Sequence, residues 1–183
     1  EDALDPDLSP FLLDVIRKMT TNSCPSSFFN FDGNDCGLQM DEFYFPSAGY
    51  TFCSWIRIER TSQQNYYRFF SIFDTKGNGL ELLFKGNHAV VQVSNGRRVT
   101  RVTLDPVLHT NRWYFISFSQ NKKFLTTSEL QVHIDGELKQ KIELRYPPLP
   151  AVTQFNHFGT NVPYHNIATQ VHSFCGQSGP IAF

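Results

Sequence analysis

The chain has 183 residues, with 16 Lys and Arg against 17 Asp and Glu for a formal charge of −1, and 40% of it is hydrophobic. A length of this order fits one all-β domain around a single core, and the balanced charge lacks the basic surplus that marks a nucleic-acid-binding domain. No apolar run approaches the roughly 18 residues that suggest a membrane span.

Residues 5 to 21 carry the one helical period. Leu8, Leu12, Val15, Ile16 and Met19 fall on one face, with Ser9 and Pro10 suited to the N-cap and first helical positions. The spacing predicts a helix over 8–20, and a boundary after it separates residues 1–22 from an all-β domain over 26–183. Glu1-Asp2-Ala3 does not look like a natural start, so the chain is expected to be a piece of a larger protein.

From Pro25 onward the period is two. The strand 51–58 places Phe52, Ile56 and Ile58 on one face and Cys53 and Trp55 on the other, so both of its faces are expected to be covered, the outer one by the N-terminal helix or a long loop. Runs at Arg68–Asp74, Gly79–Phe84 and Asn111–Ser119 follow, each rich in β-branched or aromatic residues. In 129–134 Leu130, Val132 and Ile134 alternate with Gln131 and His133, and Ile142 and Leu144 repeat the scheme after a turn at Asp135-Gly136, a dipeptide that accepts positive φ. Segments 77–79, 95–97 and 145–150 read as turns or loops. About a dozen short strands at this spacing predict a two-sheet antiparallel jelly-roll sandwich.

Four cysteines, Cys24, Cys36, Cys53 and Cys175, show neither metal spacing nor the density of a disulfide scaffold, and are expected to be free, partly buried thiols. The absence of an Asn-x-Ser/Thr sequon and of a signal peptide predicts a cytoplasmic location. For chemistry the chain offers little. A glycoside hydrolase on such a sandwich needs two facing carboxyls, whereas Glu129, Asp135 and Glu137 read as strand and hairpin acids. The six histidines never fall at i, i+2 or i, i+4, so no zinc spacing exists, and no Gly-x-Ser-x-Gly turn presents a nucleophile. No enzymatic activity and no cofactor are expected.

Two binding readings remain. Arg97, Arg98 and Arg101 form a basic cluster, either a solvated strand edge or a docking patch for an acidic surface, with Arg98 and Arg101 on opposite faces if a strand runs through them. Asp32, Asn34 and Asp35 around Gly33, with Asp41 and Glu42 nearby, offer hard oxygen ligands of the kind calcium takes, or the residues of a tight turn. Tyr146, Phe158 and Tyr164, near Asn161, His165 and Asn166, are aromatic loop residues suited to stacking on a sugar or anchoring a partner.

The order of motifs resembles the concanavalin A-like, laminin-G-like lectin fold over residues 26–183. It is carried by Tyr50-Thr51-Phe52-Cys53-Ser54-Trp55-Ile56-Arg57-Ile58-Glu59, Phe70-Ser71-Ile72-Phe73-Asp74, Arg112-Trp113-Tyr114-Phe115-Ile116, Ile134-Asp135-Gly136-Glu137-Leu138, Phe158-Gly159-Thr160 and the exit Phe174 to Ile181. The details at Phe28 to Gly33, Trp55 to Arg60 and Phe174 to Gln177 are similar to the domain found in BEACH-domain proteins, the neurobeachin, neurobeachin-like and autophagy-linked FYVE family. That resemblance implies a non-enzymatic module of a very large cytosolic scaffold, acting in vesicle trafficking or autophagy, peripheral to endomembranes. Its implied partners are a protein or the adjoining domains of the same chain, with a glycan as the alternative. The helix at 8–20 would then end a preceding stretch of helical repeats. Secreted lectins of this fold hold sugar through calcium on loop acids, and the only counterpart here runs from Asp32 to Glu42.

Overall fold

The computed structural model describes residues 24–34, 36–123, 127–149, 152–160 and 171–183; the helix predicted over 8–20 lies outside them. The described chain is built from strands: β1 (Phe29–Asp32), β2 (Leu38–Met40), β3 (Phe43–Tyr44), β4 (Gly49–Ile58), β5 (Tyr66–Phe73), β6 (Asn78–Lys85), β7 (His88–Asn95) and β8 (Val99–Val107). The second half adds β9 (Trp113–Asn121), β10 (Ser128–Ile134), β11 (Glu137–Leu144), β12 (Val152–Thr153), β13 (Phe155–Phe158), β14 (Val171–Ser173) and β15 (Cys175–Ala182). Among the described residues no helix is long and apolar enough to cross a membrane.

Two antiparallel sheets face each other, as the period-two pattern predicts. The first has the order β1-β15-β4-β9-β10-β11, the second β2-β13-β5-β6-β7-β8 with β14 parallel to β5. A two-stranded piece, β12-β3, stands apart from both.

Between the sheets lies one aromatic and aliphatic core. Phe52 of β4 meets Phe70 of β5 at 4.9 Å between ring centroids and Phe118 of β9 at 5.8 Å. Ile56, Ile58, Ile116, Leu130 and Val132 join from the first sheet, with Ile72, Leu80, Leu82, Phe84, Val91 and Val93 from the second. A register shift between Arg68 and Phe70 turns two consecutive phenylalanines, Phe69 and Phe70, into this core, as a bulged strand allows. Tilted and edge-on ring pairs add about 0.5–1.5 kcal/mol each to the area term.

The β10–β11 turn follows its sequence signature. Asp135 and Gly136 both take positive φ, 53° and 81°, the pairing that matches strand twist. The Asp135 carboxylate accepts the Phe115 amide at 2.9 Å while its own amide donates to Phe115 O at 2.8 Å, which pins the turn to β9.

The inward face of β4 is wholly buried, whereas on its outward face Thr51 is exposed, Cys53 and Arg57 are half-buried and only Trp55 is buried, so the expectation that both faces are covered holds at Trp55 alone. Trp55 stands outside the core cluster yet is only 5% exposed, against Phe115 at 5.5 Å. All four cysteines are free, Cys24 and Cys36 exposed and Cys53 and Cys175 half-buried.

Candidate interaction surface

The basic cluster is built on two adjoining turns. Between β5 and β6 the Asp74 carboxylate accepts the Lys76 and Asn78 amides at 2.8 and 3.0 Å and the Asn78 side chain at 2.8 Å, an Asp capping its own turn. Between β7 and β8 the Asn95 side chain accepts the Arg97 and Arg98 amides at 3.1 and 2.7 Å, and the Asn95 amide closes the turn on Arg98 O at 3.1 Å. Gly96, at φ +77°, lets the turns touch: a Cβ there would stand 2.4 Å from Lys76 O. Ser94 Oγ ties them further by donating to Gly77 O at 2.7 Å.

Lys76, Arg97 and Arg98 are therefore exposed side by side at one rim. Among the described residues, ion pairs join other side chains and not these three. Strand β8 begins at Val99, so Arg98 belongs to the turn and not to a strand face, a correction to the alternation argument: hydrogen bonding to Asn95 delays the ladder by one residue.

Arg101 projects from the outward face of the second sheet and ends a polar row that crosses it. In register, Gln39, His157, Ser71, Glu81, Gln92 and Arg101 stand opposite one another on β2, β13, β5, β6, β7 and β8. Arg101 Nε donates to Gln92 Oε1, and Gln92 Nε2 to Glu81 Oε2. Arg68 Nε lies 2.8 Å from Glu81 Oε1, an ion pair buried on both sides. The Arg101 guanidinium also lies over the Tyr66 ring at 5.3 Å, beside Lys85 at 4.8 Å, within cation–π range.

Burial raises the Glu81 carboxyl above its ordinary range, with Arg68 pulling the other way. His157 is held below its ordinary value by burial and then by Arg68. Ser71, Glu81 and Gln92 are buried while Gln39 and Arg101 are exposed, so the row braces its interior and presents Arg101 at one end. Glu81 has Ser71 and Gln92 as its row neighbours and Arg68 as its ionic partner, whereas hydrolysis of a glycoside needs a second carboxyl about 5–10 Å away. Sequence reasoning missed this row, although each member sits as a lone polar residue in an apolar run, as in Leu80-Glu81-Leu82 and Val91-Gln92-Val93.

The acidic cluster is engaged in its own turn. Asp32 accepts the Asn34 amide at 2.8 Å and its side chain at 3.5 Å, and the Asn34 amide leads in holding its carboxyl below the usual range. Gly33 takes positive φ, +80°, and a Cβ there would run into the Arg60 guanidinium, so the tight turn needs a glycine at that point. Asp41 follows β2, exposed, and offers its backbone O to Asn156 Nδ2 at 2.9 Å. Asp35 lies outside the described residues. Among those that are described, no group of three or more His, Cys, Asp or Glu converges on a metal position.

Two of the proposed stacking aromatics are interior. Phe158 is 1% exposed and Tyr146 8%, its hydroxyl donating to Pro46 O at 2.6 Å; Asn161, Tyr164, His165 and Asn166 lie outside the described residues. A depression of about 140 Å³ lined by Ser119, Asn121, Lys123, Glu129 and Gln131 is below the roughly 300 Å³ at which small-molecule pockets begin.

Two facing antiparallel sheets, with the first and last described strands paired at one edge, define a laminin-G-like sandwich. The solved domains it superposes on agree: LG4-5 of mouse laminin α1 at TM-score 0.62 and 13% identity, covering 88% of this chain and 43% of that one. LG1-3 of laminin α2 follows at 0.60 and 13%, covering 87% and 31%, a likeness of fold alone. The family profile of concanavalin A-like lectins and glucanases matches residues 32–170, and the chain belongs to that superfamily. Among curated proteins it is 27% identical over 177 residues to a neurobeachin homologue of Caenorhabditis elegans, covering 92% of this chain. It is 26% identical to BEACH domain-containing protein B of Arabidopsis thaliana over 93% of the chain, and 23% to BEACH domain-containing protein lvsE of Dictyostelium discoideum over 86%. The chain spans 7% of the length of each of these relatives.

Proposed function

We propose that this domain is a non-enzymatic interaction module of a large cytosolic scaffold of the BEACH type, acting in vesicle trafficking or autophagy, and that it docks an acidic segment of a protein partner or of an adjoining domain. The observation that carries the docking reading is the rim where Arg97 and Arg98 stand exposed on a turn rigidified by Asn95, with Arg101 held by Gln92 beside them. Pre-ordered cations of this kind lower the ordering cost of binding. The BEACH-type reading is supported by the BEACH-domain and neurobeachin-like relatives; the trafficking role and the cytoplasmic, endomembrane-peripheral location are what the family resemblance implies. Calcium-dependent glycan capture has weaker support, because the Asp32 carboxylate is engaged by the Asn34 amide and side chain within its own turn.

The test uses arrays of acidic, neutral and basic peptides, followed by anisotropy titration at rising salt. Acidic peptides bind and weaken with salt, as screening requires. Reversal to Glu at Arg97, Arg98 and Arg101 together abolishes that binding, and reversal at Arg97 and Arg98 alone, which lie outside the Gln92–Glu81 row, weakens it with an unchanged melting temperature. Binding that survives the triple reversal refutes the assignment. A glycan-array hit lost on chelation, with no peptide binding, installs the lectin reading instead.

A further inference from the structure

Strand β8 ends the second sheet at one edge, and its two halves are finished differently. At its start the Asn95 amide bonds Arg98 O at 3.1 Å, so Arg98 turns its backbone groups toward β7, and in an antiparallel ladder the residues that follow alternate. Thr100 and Val102 therefore bond toward β7, opposite Val93 and Val91, whereas the amides and carbonyls of Val99 and Thr103 point away from the sheet. Beyond Thr103 the edge is blunted. The register shifts before Val107, the Asp105 amide donates to Gln140 Oε1 at 2.9 Å, Gln140 Nε2 donates back to Asp105 Oδ2 at 2.6 Å, and Pro106 has no amide to offer. Residues 99–103 instead keep a regular register with β7 and contain no proline, with Thr100, Arg101 and Thr103 exposed and Val99 and Val102 half-buried.

We propose that this open stretch seats the acidic segment as an added β-strand, in which acidic residues alternate with apolar ones. The seat rests on the reading of the basic rim as a docking site and adds how the partner is held there. A strand laid about 4.8 Å beyond β8 bonds the outward groups of Val99 and Thr103, along an edge about 17 Å long. Its alternate side chains then meet two different surfaces. On the outer face Arg101 stands beside it, with the exposed Arg97 and Arg98 at the start of β8, and opposite charge is what such cross-strand neighbours favour. On the inner face lie Val102 and, on the facing edge strand β11, Ile142, both half-buried against the core, which suits apolar side chains. Main-chain bonds supply affinity in this mode and the alternate side chains supply selectivity. A second copy of β8 fits less well, since an antiparallel pairing about Arg101 would set like charges side by side.

The test titrates two labelled peptides of one composition against the intact chain by anisotropy, one alternating Asp with Val, the other with its acids and valines in separate blocks. The alternating peptide binds about tenfold more tightly, the effect of one or two aligned main-chain bonds. Methylating its alternate amides in the phase that faces β8 abolishes binding, while methylating the other phase leaves it, a readout that needs no change to the protein. Thr103→Pro removes an outward amide, as an edge strand tolerates, and lowers affinity about tenfold, whereas Thr103→Ala does not. Equal binding of the two peptides, or equal loss in both methylation phases, overturns strand addition; the docking reading survives that result if reversal at Arg97 and Arg98 still weakens both peptides. Binding by neither peptide refutes the docking reading and the added strand together. A doubled mass at high concentration that Thr103→Pro returns to one copy overturns the acidic occupant, since the edge then pairs with itself.

Discussion

At the scale of single residues, the pair Arg68–Glu81 is the most exacting feature of the fold, because both groups are buried and neither has water to fall back on. Removing one partner of a buried pair costs about 3–5 kcal/mol, whereas replacing both by apolar residues of similar volume is often near neutral. Glu81→Gln is therefore expected to lower the urea-unfolding free energy by about that amount, and Arg68→Met with Glu81→Leu, set beside Leu83 and Val90, to recover most of it. A double variant no more stable than the single would mean that the row works as a hydrogen-bonded whole and not as one ion pair. His157, whose pKa is depressed in the folded state, sets a pH signature. Its contribution is fully present above the unfolded value and declines as pH falls below it, so stability drops between about pH 7 and 5, and His157→Gln is expected to flatten that slope in thermal melts across the window.

At the scale of elements, the β10–β11 hairpin shows how much local chemistry determines. A methyl group added at Gly136 would meet nothing within 4 Å, so Gly136→Ala costs only the strain of the left-handed backbone, about 1–2 kcal/mol. Asp135→Ala loses the bond to the Phe115 amide as well and is expected to cost at least as much; chemical denaturation of the two variants compares them. This hairpin was legible in the sequence because two residues carry its geometry. The one-sided strand of Leu130, Val132 and Ile134 was legible too, since each alternate residue meets either core or water. Strand β7 was not legible in the same way: Val90, Val91 and Val93 are buried on both faces, which erases the alternation. The row from Gln39 to Arg101 was also hidden, because its register depends on pairings across six strands. Of the candidate site, the arginine cluster was legible as composition, but the contribution of Lys76 depends on two turns meeting through Gly96, which spacing along the chain does not reveal.

At the scale of the whole molecule, the two sheets share one core, and Phe52 lies at its centre with Phe69, Phe70 and Phe118 around it. Phe52→Ala is expected to cost about 3–5 kcal/mol and to lower the melting temperature of both sheets in a single transition, seen as coincident far- and near-ultraviolet curves; separate transitions would mean that the sheets fold independently. The pairing of β1 with β15 has a mechanical consequence. Phe29 stands opposite Ser178 and Asp32 opposite Cys175, so the ladder's outer end faces both flanks of the chain. Tension applied through those flanks loads the hydrogen bonds one after another, from Phe29–Ser178 inward, as a zipper opens, and not all at once in shear. On its other edge β15 is also held to β4 through Ile181 and Ala182, so a pull on the flank before Phe29 peels β1 from the seam and leaves β15 anchored in the sheet.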